Sequence, residues 1–103
     1  MKIENLTKDN FKATIEASRK PVIIDFYADW CMPCKMITPI LEEIATENKD
    51  GVAIYKVNID ENQELAVEFS VRSIPNIMSF KEGKVYKTIV GVQPKEVIKK
   101  LID

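Results

Sequence analysis

Val22-Ile23-Ile24-Asp25-Phe26-Tyr27-Ala28-Asp29-Trp30-Cys31-Met32-Pro33-Cys34-Lys35-Met36-Ile37 carries the strongest structural signal in the chain. From Val22 to Ala28 both even and odd positions are apolar. A strand here has both faces covered, which places it centrally in a sheet and favours parallel neighbours. The period then changes. From Pro33 to about Asn48, the apolar residues Met36, Ile37, Ile40, Leu41, Ile44 and Ala45 recur at helical spacing. Pro39 lies inside this helix, denies the Lys35 carbonyl its bond and predicts a kink.

Working outward, Thr7 to Ser18 has Phe11 and Ile15 at helical spacing, with Ala13 as a weaker member of that face. Thr7 is the candidate N-cap and Pro21 closes the segment. Val52 to Ile59 reads as a second inner strand, and Asn62 to Phe69 as a short helix. Ile77 to Lys81 and Val85 to Val90 are strands joined across Glu82-Gly83-Lys84, a hairpin. Pro94 to Ile102 is a last helix with Val97, Ile98 and Leu101 on one face. With a weak strand at the start, the order is strand–helix three times and then a hairpin and a helix. That order predicts an α/β fold: a mixed sheet with helices on both faces.

At 103 residues the chain fits one domain, 1–103, burying about 65% of its unfolded surface. Fifteen Lys+Arg stand against 16 Asp+Glu. With no basic excess to displace counterions from phosphates, nucleic acid is not an expected partner. Arg19-Lys20 and Lys99-Lys100 read as solvated surface. Histidine is absent, which removes Ser-His-Asp and Cys-His nucleophilic sites and His-ligated metals. No apolar run reaches membrane length and the N-terminus has no leader pattern, so a cytoplasmic, membrane-free protein is expected.

Both cysteines sit in Trp30-Cys31-Met32-Pro33-Cys34-Lys35. Two cysteines scattered over this length would fall three apart only about 2% of the time, so the spacing asks for a reason. Their position supplies one: the carboxyl end of the central strand, where sites form in open α/β sheets. A helix start offers unpaired N–H groups and the positive end of the macrodipole, which stabilise a thiolate on Cys31. Pro33 suits the first turn because its missing N–H would have had no partner there. Cys34, three residues on, lies on the same face. An accessible, activated thiol beside an inward one suits thiol–disulfide exchange, which needs an attacker and a resolver. Two other readings of the pair are structural cysteines and a two-thiolate metal site. Met32 and Met36 are soft enough to assist Cu(I), although Met36 also fits the core face of the helix.

Over nearly the whole length the sequence resembles the thioredoxin family. Asp25 to Ile37 is similar to its signature segment, and Pro39, Asn58-Ile59-Asp60, Ile74-Pro75, Phe80-Lys81-Glu82-Gly83 and Gly91 fall on further landmarks. The resemblance implies a mixed sheet of four or five strands flanked by four helices. It also implies a redox-active Cys31–Cys34 disulfide and protein-disulfide reductase activity without a bound cofactor. In that activity Cys31 attacks and Cys34 resolves. The implied partners are target protein disulfides and a thioredoxin reductase, and the implied state is monomeric.

By the same resemblance Asp25 is the buried base for Cys34, accompanied by Lys56. The residues alone leave a surface-facing or salt-bridged Asp25 and a solvated Lys56 open. Likewise Ile74–Pro75 is by resemblance a cis bond beside the disulfide, whose backbone pairs with substrate; by sequence Pro75 is a turn proline. Trp30 is core or rim from sequence, and by resemblance a partly exposed neighbour of Cys31, with Gly91 leaving space for substrate across from it. Met32 stands where the family motif has Gly, beside Pro33. Being uncharged it gives the thiolate no cation, which predicts a reducing poise, and it puts an apolar side chain on the docking surface. Tyr27 replaces a second Trp and Asn76 a common Thr. A fold-related oxidase or isomerase, and a scaffold module in which the cysteines are incidental, remain alternative functions.

Overall fold

The computed structural model describes residues 2–103. Its elements are β1 (Glu4–Asn5), α1 (Phe11–Ala17), β2 (Val22–Tyr27), α2 (Met32–Glu47), β3 (Ala53–Asn58), α3 (Gln63–Glu68), β4 (Asn76–Lys81), β5 (Lys84–Val90) and α4 (Lys95–Lys99). The strands form one sheet in the order β1-β3-β2-β4-β5. β1, β3 and β2 run parallel; β4 is antiparallel to β2, and β5 to β4. This is the α/β class and mixed sheet expected, with β2 in the middle.

The central position of β2 follows from its two apolar faces. Val22, Ile24 and Phe26 join Phe11, Ile15, Leu65, Met78 and Phe80 in the core beneath α1 and α3. Ile23 points the other way, into the core of Ile37, Leu41, Ile44, Ile77, Ile98 and Leu101 beneath α2 and α4. In the first core the rings of Phe11, Phe69 and Phe80 meet at centroid distances of 5.3 to 5.8 Å, within the range of favourable aromatic pairs.

Several local expectations are corrected. The N-cap of α1 is Asn10, not Thr7. The Thr7 carbonyl instead accepts from Asn10 and Phe11 N–H, and Asn10 Oδ1 accepts from Thr7 N–H at 2.8 Å. A polar turn thus takes up the residues that looked like a first helical turn. Ala13 is exposed. The core stripe of α2, which contains Pro39, is Cys34, Ile37, Leu41, Ile44 and Ala45. Met36 is not part of that stripe. It is 63% exposed, because the position next to Ile37 is rotated about 100° away from it.

Loop chemistry sets the remaining connections. Glu82 and Gly83 both have positive φ (54° and 79°), as a type I′ hairpin turn requires. α3 closes with Ser70 at φ 56°, Ser70 N–H on the Val67 carbonyl and Val71 N–H on the Ala66 carbonyl. That is a Schellman stop, and it leads the chain into the loop before β4.

Candidate active site

β2 ends at Tyr27 and the chain turns at once into α2, with Cys31 N–H bonded to the Ala28 carbonyl at 3.1 Å. Cys31 is the N-cap, its backbone extended at φ −89° and ψ 104°. Its Sγ accepts a hydrogen bond from Cys34 N–H at 3.2 Å. The two sulfurs are joined in a disulfide, with the Cα atoms 5.3 Å apart. Pro33 sits in the first turn, where no acidic side chain is present. The free N–H groups and the dipole therefore act on the Cys31 sulfur with no carboxylate from the first turn opposing them.

The predicted contrast between an accessible and an inward sulfur is weaker than expected. Cys31 is 4% exposed and Cys34 2%. In the disulfide each sulfur covers the other, and Tyr27, Ile59 and Ile74 pack around them and Ala28. What is exposed is the rim: Trp30 at 68% and Met32 at 67%. Trp30 is therefore rim, not core. Its Nε1–H donates to Asp60 Oδ2 at 2.9 Å.

Asp25 alternates with Ile24 and Phe26 along β2 and so faces the α2 side. It is 2% exposed, and its Oδ1 has no hydrogen-bond partner among the described residues. Loss of hydration pushes its pKa up from 3.8 to about 7, opposed by the charge of Lys56. The two residues are register partners in the parallel β2–β3 pair. Lys56 is half-buried, with Nζ 5.3 Å from the centre of the Tyr27 ring. A solvent-open cavity of about 190 Å³ is lined by Cys34, Tyr27, Lys35, Thr38 and Lys56 among others. It holds room for water beside the inner cysteine and the lysine.

The Ile74–Pro75 peptide bond is cis, and Ile74 packs on the sulfur cluster. The Pro75 carbonyl accepts from Gly91 N–H at 2.8 Å. Gly91 has φ +88°, and nothing lies within 4 Å of where a Cβ would be. Trp30 thus lies in the turn before Cys31 and Met32 and Pro33 in the first turn of α2, Ile74 packs on the sulfurs, Pro75 and Gly91 are joined by a backbone bond, and Asp25 and Lys56 are on adjacent strands.

Two residues noted only as a family landmark in the sequence also contribute to the site. Asp60 anchors Trp30, and Asn58 builds the turn that presents Asp60. The buried Asn58 Oδ1 accepts from Asp60 N–H at 2.9 Å and Glu61 N–H at 3.2 Å. Asn-x-Asp beginning at the last residue of a strand is the available signal for that turn, but nothing local joins Asp60 to Trp30, 30 positions away.

Among the described residues, no group of three or more His, Cys, Asp or Glu is placed to hold a metal ion. No helix among them is long and apolar enough to cross a membrane.

The family model described as Thioredoxin matches residues 2–103. Curated relatives named thioredoxin include one from Rickettsia felis, 48% identical over 91 residues, covering 88% of this chain and 87% of the relative. One from Bacillus subtilis is 45% identical over 103 residues, covering 100% and 97%. Thioredoxin 1 of Synechococcus elongatus is 42% identical over 98 residues, covering 95% and 92%. Likeness of this extent, around a disulfide set at the head of a helix, leaves one assignment: the chain belongs to the thioredoxin family and is a dithiol–disulfide oxidoreductase.

Proposed function

We propose that the protein, as a single domain, acts as a general protein-disulfide reductase in the cytoplasm, recharged by a thioredoxin reductase. In the reduced form the Cys31 thiolate attacks one sulfur of a target disulfide. A Cys31–target bond forms, the target S–S bond breaks, and the other target sulfur leaves as a thiolate and takes up a proton. Cys34 then gives its proton to the Asp25 carboxylate and attacks Cys31 Sγ. The Cys31–Cys34 bond forms and the second target thiolate departs, taking up the proton that Asp25 received from Cys34. Two electrons pass to the target in all, with one proton from water at the first leaving sulfur and one from Cys34 by way of Asp25, and no bound cofactor is needed.

The hydrogen bond from Cys34 N–H to Cys31 Sγ at the N-cap carries this reading. A thiolate on Cys31 inherits that donor and the helix dipole, so Cys31 is the attacker and Cys34 the resolver. The burial of Asp25, with an affinity for protons near neutrality, suits a group that must take a proton and return it. Lys56 moderates that affinity, and Lys56 and Cys34 both line the solvent-open cavity. Around the sulfurs, Trp30, Met32, Pro33, Pro75 and Gly91 form the docking rim. The Ile74 backbone pairs with an extended target segment, a short strand addition.

Insulin reduction driven by dithiothreitol tests the activity, and trapping tests the roles. Cys34→Ser is expected to accumulate mixed disulfides through Cys31, seen as reductant-sensitive bands on a non-reducing gel. Accumulation by Cys31→Ser in place of Cys34→Ser reverses the assignment. A redox potential near that of dedicated protein oxidants overturns the reducing direction.

A further inference from the structure

Three large apolar side chains are exposed around the head of α2, next to the disulfide: Trp30 at 68%, Met32 at 67% and Met36 at 63%. Met32 is the first residue of the helix and the immediate neighbour of the N-cap Cys31. Met36 follows one turn later on the same face. Trp30 is held in place by its bond to Asp60. An attacking sulfur, the attacked sulfur and the departing one lie in line during exchange. A target cysteine reaching Cys31 brings its own chain neighbours onto the surface around it, where Trp30 and Met32 adjoin Cys31 in the chain and Ile74 packs on the sulfurs.

From this placement we infer that Met32 is a specificity-determining residue: with Met36 it forms a thioether ledge that selects target disulfides whose attacked cysteine is flanked by large apolar residues. The inference rests on the exchange chemistry proposed above and adds the class of target. An unbranched, polarizable side chain adapts to Leu, Ile, Phe or Met without a preformed pocket. Contact removes apolar surface of both partners from water. A polar neighbour loses its hydration against the thioethers and gains no partner. The selection acts through the apolar surface of Met32, so a polar side chain of equal length abolishes it and a branched apolar one keeps it.

The test uses symmetric disulfide-linked dimers of a short peptide in which both residues flanking cysteine are Leu or both are Asn. Both sulfurs of each dimer are equivalent, and neither flank carries a charge for Lys35 to attract. Second-order rates with the reduced protein are normalised to the rate of dithiothreitol on the same dimer. The wild type is expected to prefer the Leu dimer about tenfold, as burial of part of one thioether side chain gives. Met32→Gln is expected to bring the preference to about twofold or less, and Met32→Leu to retain it. A wild-type preference that survives in Met32→Gln overturns the ledge. Its loss in Met32→Leu as well assigns the effect to the helix start and also overturns it. A wild type that reduces neither dimer overturns the exchange reading itself, and the ledge with it.

Discussion

Replacing Asp25 by Asn should stabilise the oxidised protein in a pH-dependent way. The carboxyl ionises near 7 in the fold and at its ordinary value of 3.8 in the unfolded chain. Below pH 3.8 both states hold the proton, and the group costs the fold nothing extra. Between these values the unfolded chain releases the proton while the fold keeps it, so stability falls as pH rises. Above about pH 7 the fold carries an ionised carboxylate in a dry site, and the loss reaches a ceiling of about 4 kcal/mol. The carboxamide of the Asp25→Asn variant cannot ionise and escapes this loss. It is as poorly partnered as the protonated acid, since Asp25 Oδ1 lacks a hydrogen bond among the described residues, so at pH 3.5 the two proteins should match. Urea denaturation of the disulfide forms from pH 3.5 to 9 measures the difference. It should open through the window between pH 4 and 8 and then level off. Curves that stay parallel across the range refute the reasoning, because they show the same proton affinity in both states.

Two further changes test the frame that holds the site. Leu41→Ala removes a fully buried side chain from the core between α2 and the sheet. It should cost about 2–5 kcal/mol in urea denaturation, and a cost below about 1 kcal/mol would mean a core able to collapse around the void. Gly91→Ala has free space for its methyl group but keeps φ near +88°. It should cost about 1–2 kcal/mol from backbone conformation alone, with Gly91→Asn recovering part of the loss; equal stability of all three would refute a conformational need for glycine.

Much of the fold was legible because its signals are contiguous. The switch from two-faced apolar strand to helical spacing between Val22 and Ala45 announced β2 and α2, and Glu82-Gly83 announced the hairpin. The cysteine pair was legible for the same reason: spacing and position at a strand's end are both local. Thr7 misled because a threonine before a polar stretch suits a helix cap and a turn alike, and the turn won through the Asn10 bond to the Thr7 N–H. Met36 misled because an apolar residue beside a core stripe looks like part of it until the helix is seated on the sheet.

By itself the sequence determined the alternation of elements, the centrality of β2 and the place of the sulfurs at the head of α2. Each of these is a preference of neighbouring residues for a period or a cap. Only the tertiary structure decided which face of β2 Asp25 occupies, that Lys56 is its register partner, and that Asp60 reaches Trp30. It also decided that Pro75 and Gly91 meet at the rim. Those relations join positions far apart in the chain. They are set by strand register and by how helices pack on the sheet, which are properties of the assembled layers and of no single segment.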